Sequence, residues 1–190
     1  MSLNTAVRNW TSQRVWVVGA SSGIGLALAQ ALISLGARVA VSARRAEPLL
    51  ALASAHPQQV LALPLNMTEN ADWDSAWNNI NSAWQGADWV VFCAADYTPI
   101  RAWELNRDRA AQLIDINFTG TLRGVATVLP DFLARGSGGI AIVASVAGYM
   151  GLPKSLVYGP TKAALINFAE SLYLDVKPKG LDVCVINPGF

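Results

Sequence analysis

The sequence predicts an α/β fold, a doubly wound parallel sheet with helices on both faces in three layers. One observation is a series of short β-rich runs that are mostly apolar throughout, as expected of strands buried on both faces. Another is that helical patterns fill the gaps between these runs, and such alternation is typical of a parallel sheet covered by helices. The predicted strands are RVWVV (14–18), RVAVS (38–42), VLALP (60–64), DWVVFC (88–93), GIAIVAS (139–145) and LDVCVI (181–186).

The helices are predicted from apolar periodicity. IGLALAQALISLG follows the first strand, and the long stretch DRAAQLIDINFTGTLRGVATVLPDFLARG precedes the fifth. Trp73, Trp77, Ile80 and Trp84 are spaced by four, three and four residues, which places them on one helical face packed against the sheet. A last helix begins within VYGPTKAALINFAESLYL, where Pro160 suits only a first turn.

Composition limits the classes of function. The 190 residues fit one domain, predicted as 1–190, with 53% hydrophobic and 14% charged residues. No uncharged apolar run reaches the ~18 residues of a membrane span, and a net charge of +1 without a basic stripe argues against nucleic acid. The beginning of the chain has no export signal, so we expect a cytoplasmic protein. Cys93 and Cys184 are expected to be reduced, His56 has no evident role, and we predict no metal site.

A glycine-rich turn, GASSGIG, connects the first strand to an apolar helix. Gly19, Gly23 and Gly25 allow a sharp turn and let backbone N–H groups approach a ligand, while the helix start directs its positive dipole end at an anion. The turn could merely connect strand and helix, but its context favours binding of a dinucleotide pyrophosphate.

Two arginines follow the second strand, where an acidic residue would usually hold the ribose of NAD. Ala43 cannot accept a hydrogen bond there, whereas Arg44 and Arg45 offer planar charged groups to a 2′-phosphate. A solvated arginine pair would have the same sequence. We predict NADP(H) as the cofactor, with NAD(H) the less favoured alternative.

Tyr158 and Lys162 stand four apart, so one helical turn brings their side chains together. An isolated Tyr-x-x-x-Lys fits an ordinary helix start, and its meaning depends on the rest of the chain. At an effective dielectric of about 20, a charge some 4 Å away contributes roughly 4 kcal/mol, or about three pKa units. We therefore expect Lys162 to lower the pKa of Tyr158 and fit it for proton transfer.

The two motifs together resemble those of the short-chain dehydrogenase/reductase (SDR) family. Further matches follow in order: Asn117 in LIDINFTG, Ser145 thirteen residues before Tyr158, and the turn Asn187-Pro188-Gly189. The resemblance covers residues from about 12 onward and implies a Rossmann-like fold.

The resemblance also implies residue roles. Tyr158 exchanges a proton with the carbonyl oxygen, Lys162 also holds the nicotinamide ribose, Ser145 orients the carbonyl, and Asn117 supports a water. It implies cofactor contacts at Gly19, Ser21, Ser22, Gly23, Ile24, Gly25, Arg44, Asn66, Met67, Ala94, Tyr158, Lys162, Pro188 and Gly189.

Three departures from the family pattern are visible. Phe92-Cys93-Ala94-Ala95 stands where the family usually has Asn-Asn-Ala-Gly, and Asn66 replaces an aspartate that contacts adenine. The sequence also stops at Phe190, so we expect the domain to lack the family's substrate loop and last strand.

Tyr97, Met150 and Leu152 suggest an apolar wall of the substrate pocket.

The predicted function is an NADP-dependent oxidoreductase acting on a small-molecule ketone or secondary alcohol. One alternative is a non-catalytic dinucleotide-binding protein, a sensor or scaffold of the same fold. Another is a sugar-nucleotide epimerase, which shares the Tyr-x-x-x-Lys chemistry but usually spaces its glycines as Gly-x-x-Gly-x-x-Gly.

Self-association is predicted from two helices with apolar residues most of the way round, which are typically buried on more than one side. We expect a homodimer through the two helices flanking the fifth strand, an arrangement that the family resemblance also implies. Their apolar residues are Leu113, Ile116, Thr119, Leu122, Val125, Ala126, Leu129, Phe132, Ala163, Ala164, Leu165, Phe168, Ala169, Leu172 and Tyr173.

Overall fold

A single parallel sheet organises the computed structural model, which describes residue 4 and residues 6–189. Within those residues, six strands follow the order β3-β2-β1-β4-β5-β6. This topology confirms the predicted α/β doubly wound fold. The predicted domain, 1–190, includes residues 1–3, 5 and 190, which lie outside the described residues. The strands are β1 (Arg14–Val18), β2 (Arg38–Ser42), β3 (Val60–Ala62), β4 (Trp89–Phe92), β5 (Gly138–Val143) and β6 (Leu181–Ile186).

Helices connect consecutive strands. The predicted helix over 108–136 contains a π-helical turn, Asp115–Thr119, between two α-helical segments. None of the helices in the described part of the chain combines the length and apolarity needed to cross a bilayer. The α-helices are α1 (Gly23–Ser34), α2 (Ala46–Ala55), α3 (Asn70–Trp84), α4 (Arg107–Ile114), α5 (Gly120–Arg135) and α6 (Tyr158–Val176).

The sheet separates two apolar cores, because successive strand residues point to opposite faces. Helices α1 and α2 cover one face, with Leu32 and Leu49 packed on β1 and β2. Helices α3, α5 and α6 cover the other face, with Trp73, Phe132 and Leu165 in its core. The three predicted layers are present.

The tryptophan-rich face of α3 is buried, as its spacing predicts. Trp73, Trp77 and Ile80 belong to the core, and Trp84 is partly buried against it. The Trp16 ring of β1 meets Trp73 edge to face at 5.6 Å between centroids. Trp16 also donates through its indole N–H to the buried Ser42 hydroxyl at 2.9 Å. The aromatic residues of α3 therefore pack against one face of the sheet and leave its carboxyl edge free.

Candidate active site

The residues predicted to bind cofactor or substrate collect at the carboxyl edge of the sheet. Gly19 follows β1, Arg44 follows β2, Ala94 follows β4, Ser145 follows β5 and Pro188 follows β6. The strand order changes direction between β1 and β4, and ligands of open α/β sheets bind outside the strand ends at such a switch point. Fold topology therefore brings together side chains that are far apart in sequence.

The glycine turn needs glycine for close packing. A Cβ on Gly19, whose φ is +95°, would stand 2.4 Å from the Ala94 amide nitrogen. A Cβ on Gly25 would stand 2.3 Å from the Gly19 carbonyl oxygen. Ser22 precedes α1 and makes no side-chain capping hydrogen bond. The first turn of α1 thus keeps its unpaired backbone N–H groups, which suit an anion.

A cavity of about 550 Å³ extends from this turn across the carboxyl ends of the four strands β1, β2, β3 and β4. Arg45 donates from Nη2 to the Ser21 carbonyl and hydroxyl at 3.4 and 3.3 Å, while the Arg44 side chain is exposed at the rim. Lining residues include every predicted cofactor contact of this end: Gly19, Ser21, Ser22, Gly23, Ile24, Gly25, Arg44, Asn66, Met67 and Ala94.

Asn66 and Met67 form the far wall of this cavity. The Asn66 side-chain oxygen accepts from the Thr68 amide at 3.3 Å, and the Asn66 amide donates to Asp72 at 2.8 Å. The Met67 carbonyl accepts from the Trp73 indole at 3.1 Å. These bonds fix the loop after β3 beside the cleft.

A second cavity of about 610 Å³ contains the predicted proton-transfer groups. Ser145, Tyr158 and Lys162 line it, and Pro188 and Gly189 lie at its edge. Both cavities share Ile24, Cys93 and Ala95, so they form one continuous cleft.

Lys162 is buried, with only 1% of its surface exposed, and its Nζ donates to the Val143 carbonyl at 2.9 Å. That nitrogen lies 5.5 Å from the centroid of the Tyr158 ring. Burial lowers the pKa of Lys162 to about 8, because a charged ammonium loses hydration there. The predicted proximity of the two side chains is present.

The expected lowering of the Tyr158 pKa is not observed. Burial raises the pKa of Tyr158, and the hydrogen-bonding Ser145 hydroxyl only partly opposes that rise. The Lys162 Nζ donates to the Val143 carbonyl of β5, and the phenol shares its hydrogen bond with Ser145. The expectation that Lys162 lowers this pKa was therefore wrong for the structure described, since a tertiary contact and not helical spacing decides where the ammonium lies.

Asn117 occupies the π-helical turn and is fully buried. Its side-chain oxygen accepts from the Asp96 amide at 2.7 Å, and its Nδ2 donates to the Asp96 carbonyl at 2.8 Å. π-helical turns occur frequently at functional sites. Here the turn directs Asn117 toward the segment after β4, which carries Tyr97 into the second cavity.

Ser145 begins a tight turn, and for that reason β5 ends two residues earlier than predicted. Its hydroxyl accepts from the Ala147 amide at 3.1 Å. The Val146 amide donates to the Pro188 carbonyl at 3.1 Å, which ties the turn after β5 to the Pro-Gly turn after β6. Asn187 adds a hydrogen bond from Nδ2 to the Tyr149 hydroxyl at 2.6 Å.

Sequence reasoning placed some wall residues correctly and missed others. Tyr97 and Leu152 line the second cavity as expected, whereas Met150 does not and is 67% exposed. Cys93 was expected only to be a reduced thiol, yet besides packing against the core it lines both cavities. Its position directly after β4, opposite the glycine turn, is the signal that could have revealed it.

Comparison with known proteins decides the family. The family model described as short chain dehydrogenase matches residues 13–190. The chain belongs to the short-chain dehydrogenase family. Proteins of this family generally bind NAD or NADP and act on small molecules. The predicted resemblance and oxidoreductase class are thereby confirmed.

Individual relatives agree. An uncharacterized oxidoreductase of Staphylococcus aureus (strain MW2) is 31% identical over 174 residues, which cover 91% of this chain and 75% of that protein. The Mus musculus protein named dehydrogenase/reductase SDR family member 7 is 32% identical over 187 residues, 94% of this chain and 55% of that protein.

A solved structure shows the same fold. The short-chain dehydrogenase from Streptomyces avermitilis matches with a TM-score of 0.89 at 29% identity, covering 93% of this chain and 65% of that one. The chain thus spans between about half and three quarters of the length of these three SDR proteins.

Proposed function

We propose that this SDR protein is an NADP-dependent oxidoreductase that transfers hydride between the nicotinamide and a ketone or secondary alcohol, with Tyr158 as general acid and base. The observation that carries the proposal is the continuous cleft. Its larger-volume end holds Ser145, Tyr158 and Lys162, and its other end has the glycine turn and helix start that suit a pyrophosphate.

The residues present fit a dinucleotide. A Cβ on Gly19 or Gly25 would meet backbone atoms of Ala94 or Gly19, so the turn can pack this closely only with glycine there. Gly23, with φ +57°, has nothing within 4 Å of a Cβ position, which leaves its backbone open to a phosphate. Arg44 lines the cleft with an exposed side chain, and its guanidinium suits the 2′-phosphate of NADP. Pro188 and Gly189 border the cleft where the nicotinamide end is proposed to lie.

When bound, the cofactor supplies or accepts the hydride. Tyr158 stays protonated at neutral pH, because burial raises its pKa, and a protonated phenol can donate to the oxygen of a carbonyl undergoing reduction. The Ser145 hydroxyl, within reach of Tyr158, would orient that carbonyl. Lys162 would hold the nicotinamide ribose, and Asn117 would support a water of the proton relay.

The test is Tyr158→Phe. Carbonyl reduction measured by NADPH oxidation with a panel of ketones should fall about 10²–10⁴-fold, the usual contribution of a general acid. NADPH affinity, measured by fluorescence titration, should change little because the phenylalanine ring fills the same space. Tyr173→Phe, on the same helix but outside the cleft, serves as the control. Undiminished turnover in Tyr158→Phe would contradict the proposal.

A non-catalytic dinucleotide-binding role is the alternative. The orientation of Lys162 favours it, because the ammonium donates to the Val143 carbonyl and leaves the Tyr158 phenol without activation for alcohol oxidation. Saturable NADPH binding combined with no turnover of any ketone by the wild-type protein would favour this second function.

A further inference from the structure

Tyr97 stands against the proposed proton donor. Its ring meets the Tyr158 ring edge to face, with centroids 5.0 Å apart and an interplanar angle of 79°. Tyr97 remains 54% exposed and lines the second cavity together with Ser145 and Tyr158. A flat aromatic surface therefore borders the place where a carbonyl would receive its proton.

The rest of that cavity wall is largely apolar. Ile24, Ala95, Ala147, Leu152 and Pro153 contribute carbon surface around the polar groups of Ser145 and Tyr158. The cavity of about 610 Å³ would be shared with the nicotinamide, and the side lined by Tyr97, Leu152 and Pro153 is where a ring of the substrate would lie. Such a wall suits a ketone with a bulky apolar substituent better than a small or highly polar one.

The residues on both sides of Tyr97 are held in place. Arg109 of α4 donates from Nη2 to the Asp96 carboxylate at 3.0 Å and to the Thr98 hydroxyl. Asn117 pairs with both the amide and the carbonyl of Asp96. Loop side chains are ordinarily mobile, and these bonds instead anchor Tyr97 from two directions.

We propose that Tyr97 is a specificity-determining residue that selects aryl or similarly bulky apolar ketones, and that Arg109 is its positioning residue. The inference rests on the proposed oxidoreductase function and adds the substrate class to it. An aryl group of the substrate packs against Tyr97 while its carbonyl faces Ser145 and Tyr158. Arg109 acts only through the Asp96–Thr98 segment.

The experiment compares acetophenone with acetone at saturating NADPH. Tyr97→Ala should raise KM for acetophenone about tenfold, the range expected from losing an aromatic contact, and change KM for acetone less than about twofold. Tyr97→Phe should keep the acetophenone KM, because the ring and not the hydroxyl makes the contact. In each case kcat should change less than KM.

The anchoring role is tested with Arg109→Gln and its matched control Arg107→Gln, an exposed arginine two residues earlier at the start of α4. Arg109→Gln should raise the acetophenone KM by a smaller factor than Tyr97→Ala, and Arg107→Gln should not. Thermal melting identifies any variant that fails to fold. Equal changes for both ketones, or an unchanged acetophenone KM in Tyr97→Ala, would overturn the inference.

Failure of the proposed function has a different signature. If the wild-type protein with NADPH turns over neither ketone, calorimetric binding of acetophenone and acetone to the same protein replaces KM as the readout. A preference for acetophenone that Tyr97→Ala abolishes would support the inference, and its persistence in that variant would refute it.

Discussion

Two ionisable side chains, the buried Lys162 and the half-buried Cys93, line the same part of the cleft, and burial shifts their pKa values in opposite directions. Burial lowers the pKa of Lys162 to about 8 and raises the pKa of the Cys93 thiol to about 11, because each group loses stability in its charged form. Each perturbs the other electrostatically. At neutral pH, therefore, the thiol is uncharged and a poor nucleophile, and the ammonium is charged at a cost to stability.

These shifts predict a pH-dependent stability. Between about pH 8 and the unfolded lysine value of 10.5, the unfolded state binds more protons at Lys162, so stability rises with pH. Between 9.0 and about 11, the folded state binds more protons at Cys93, so stability falls. Urea unfolding should therefore show a rise of up to about 1 kcal/mol from pH 8 to 9, followed by a plateau.

Two variants separate these contributions. Lys162→Met should abolish the rise from pH 8 to 9, and Cys93→Ala should extend the rise beyond pH 9. A wild-type curve that falls from pH 8 to 9 would show that the burial of Lys162 does not control stability in this range.

Arg44 is predicted to determine the choice of cofactor. Arg45 is already bonded to Ser21, whereas Arg44 is exposed at the cleft rim. Arg44→Ala should weaken NADP binding by about 1.5–3 kcal/mol, the range for hydrogen bonds to charged groups, and leave NAD nearly unaffected. Calorimetry with both cofactors measures this, with Arg38→Ala at the opposite end of β2 as the control. Equal losses for NADP and NAD would contradict the assignment.

At the scale of the elements, one ion pair joins the starts of two strands. The Arg14 guanidinium contacts the Asp88 carboxylate through two nitrogens and also donates to the Trp84 carbonyl at 2.7 Å. It thus ties β1 to β4 and satisfies the end of α3. Burial pushes the pKa of Asp88 upward, but hydrogen bonds from the Arg14 side chain and backbone outweigh it and hold that pKa below its usual range.

Asp88→Asn should therefore destabilise the fold by about 1.5–3 kcal/mol at neutral pH, because Arg14 keeps a hydrogen-bond partner but loses the opposing charge. Since the folded pKa is depressed, the contribution is complete above the unfolded value near 4 and disappears as pH falls through the folded value. Denaturant unfolding at pH 7 and below pH 4 measures both effects. Asp74→Asn, exposed on α3, should have no comparable effect; an equal loss at both pH values would exclude the electrostatic explanation.

The connection from α4 to α5 shows what the sequence could predict about an element. Apolar spacing predicted one helix over 108–136, and the chain is helical from Arg107 to Arg135, with Gly136 as a left-handed cap. The π-helical turn was not predicted, because hydrophobic periodicity does not specify which carbonyl an amide bonds. Gly120, directly after the π-helical turn, packs closely against the loop after β3, since a Cβ there would stand 2.9 Å from the Met67 Cβ.

At the scale of the whole molecule, continuous apolar runs separated by helical patterns predicted a parallel sheet with helices on both faces, but they did not predict the strand order. Contacts between distant loops were not predicted either. The bond from Lys162 to Val143 and the anchoring of Asp96 by Arg109 both depend on tertiary packing. The sequence motifs thus named residues that line the cleft, and the tertiary structure determined where Lys162 and Tyr97 point.

The predicted dimer surface is only partly available in the folded chain. Leu113, Val125, Phe132 and Leu165 pack into the core of their own chain. Phe118 and Phe168 meet edge to face at 6.5 Å across the π-helical turn and α6, which makes this outer surface continuous. Of the residues predicted to pair, those left half-buried or exposed are Thr119, Leu122, Ala126, Leu129, Ala163, Ala164, Phe168 and Tyr173.

We expect this outer surface of α5 and α6 to pair with a second copy about a two-fold axis, because closed C₂ dimers are the commonest assembly and the remaining surface is apolar. Size exclusion with light scattering at micromolar concentration should show a dimer. Ala126→Glu and Ala163→Glu should each shift it toward monomer, because they place a desolvated charge at the centre of the contact. Ala51→Glu, exposed on α2 at the opposite face of the sheet, should leave the dimer intact. A monomeric wild-type protein would refute the interface, and a dimer that survives both charged substitutions would show that another surface forms it.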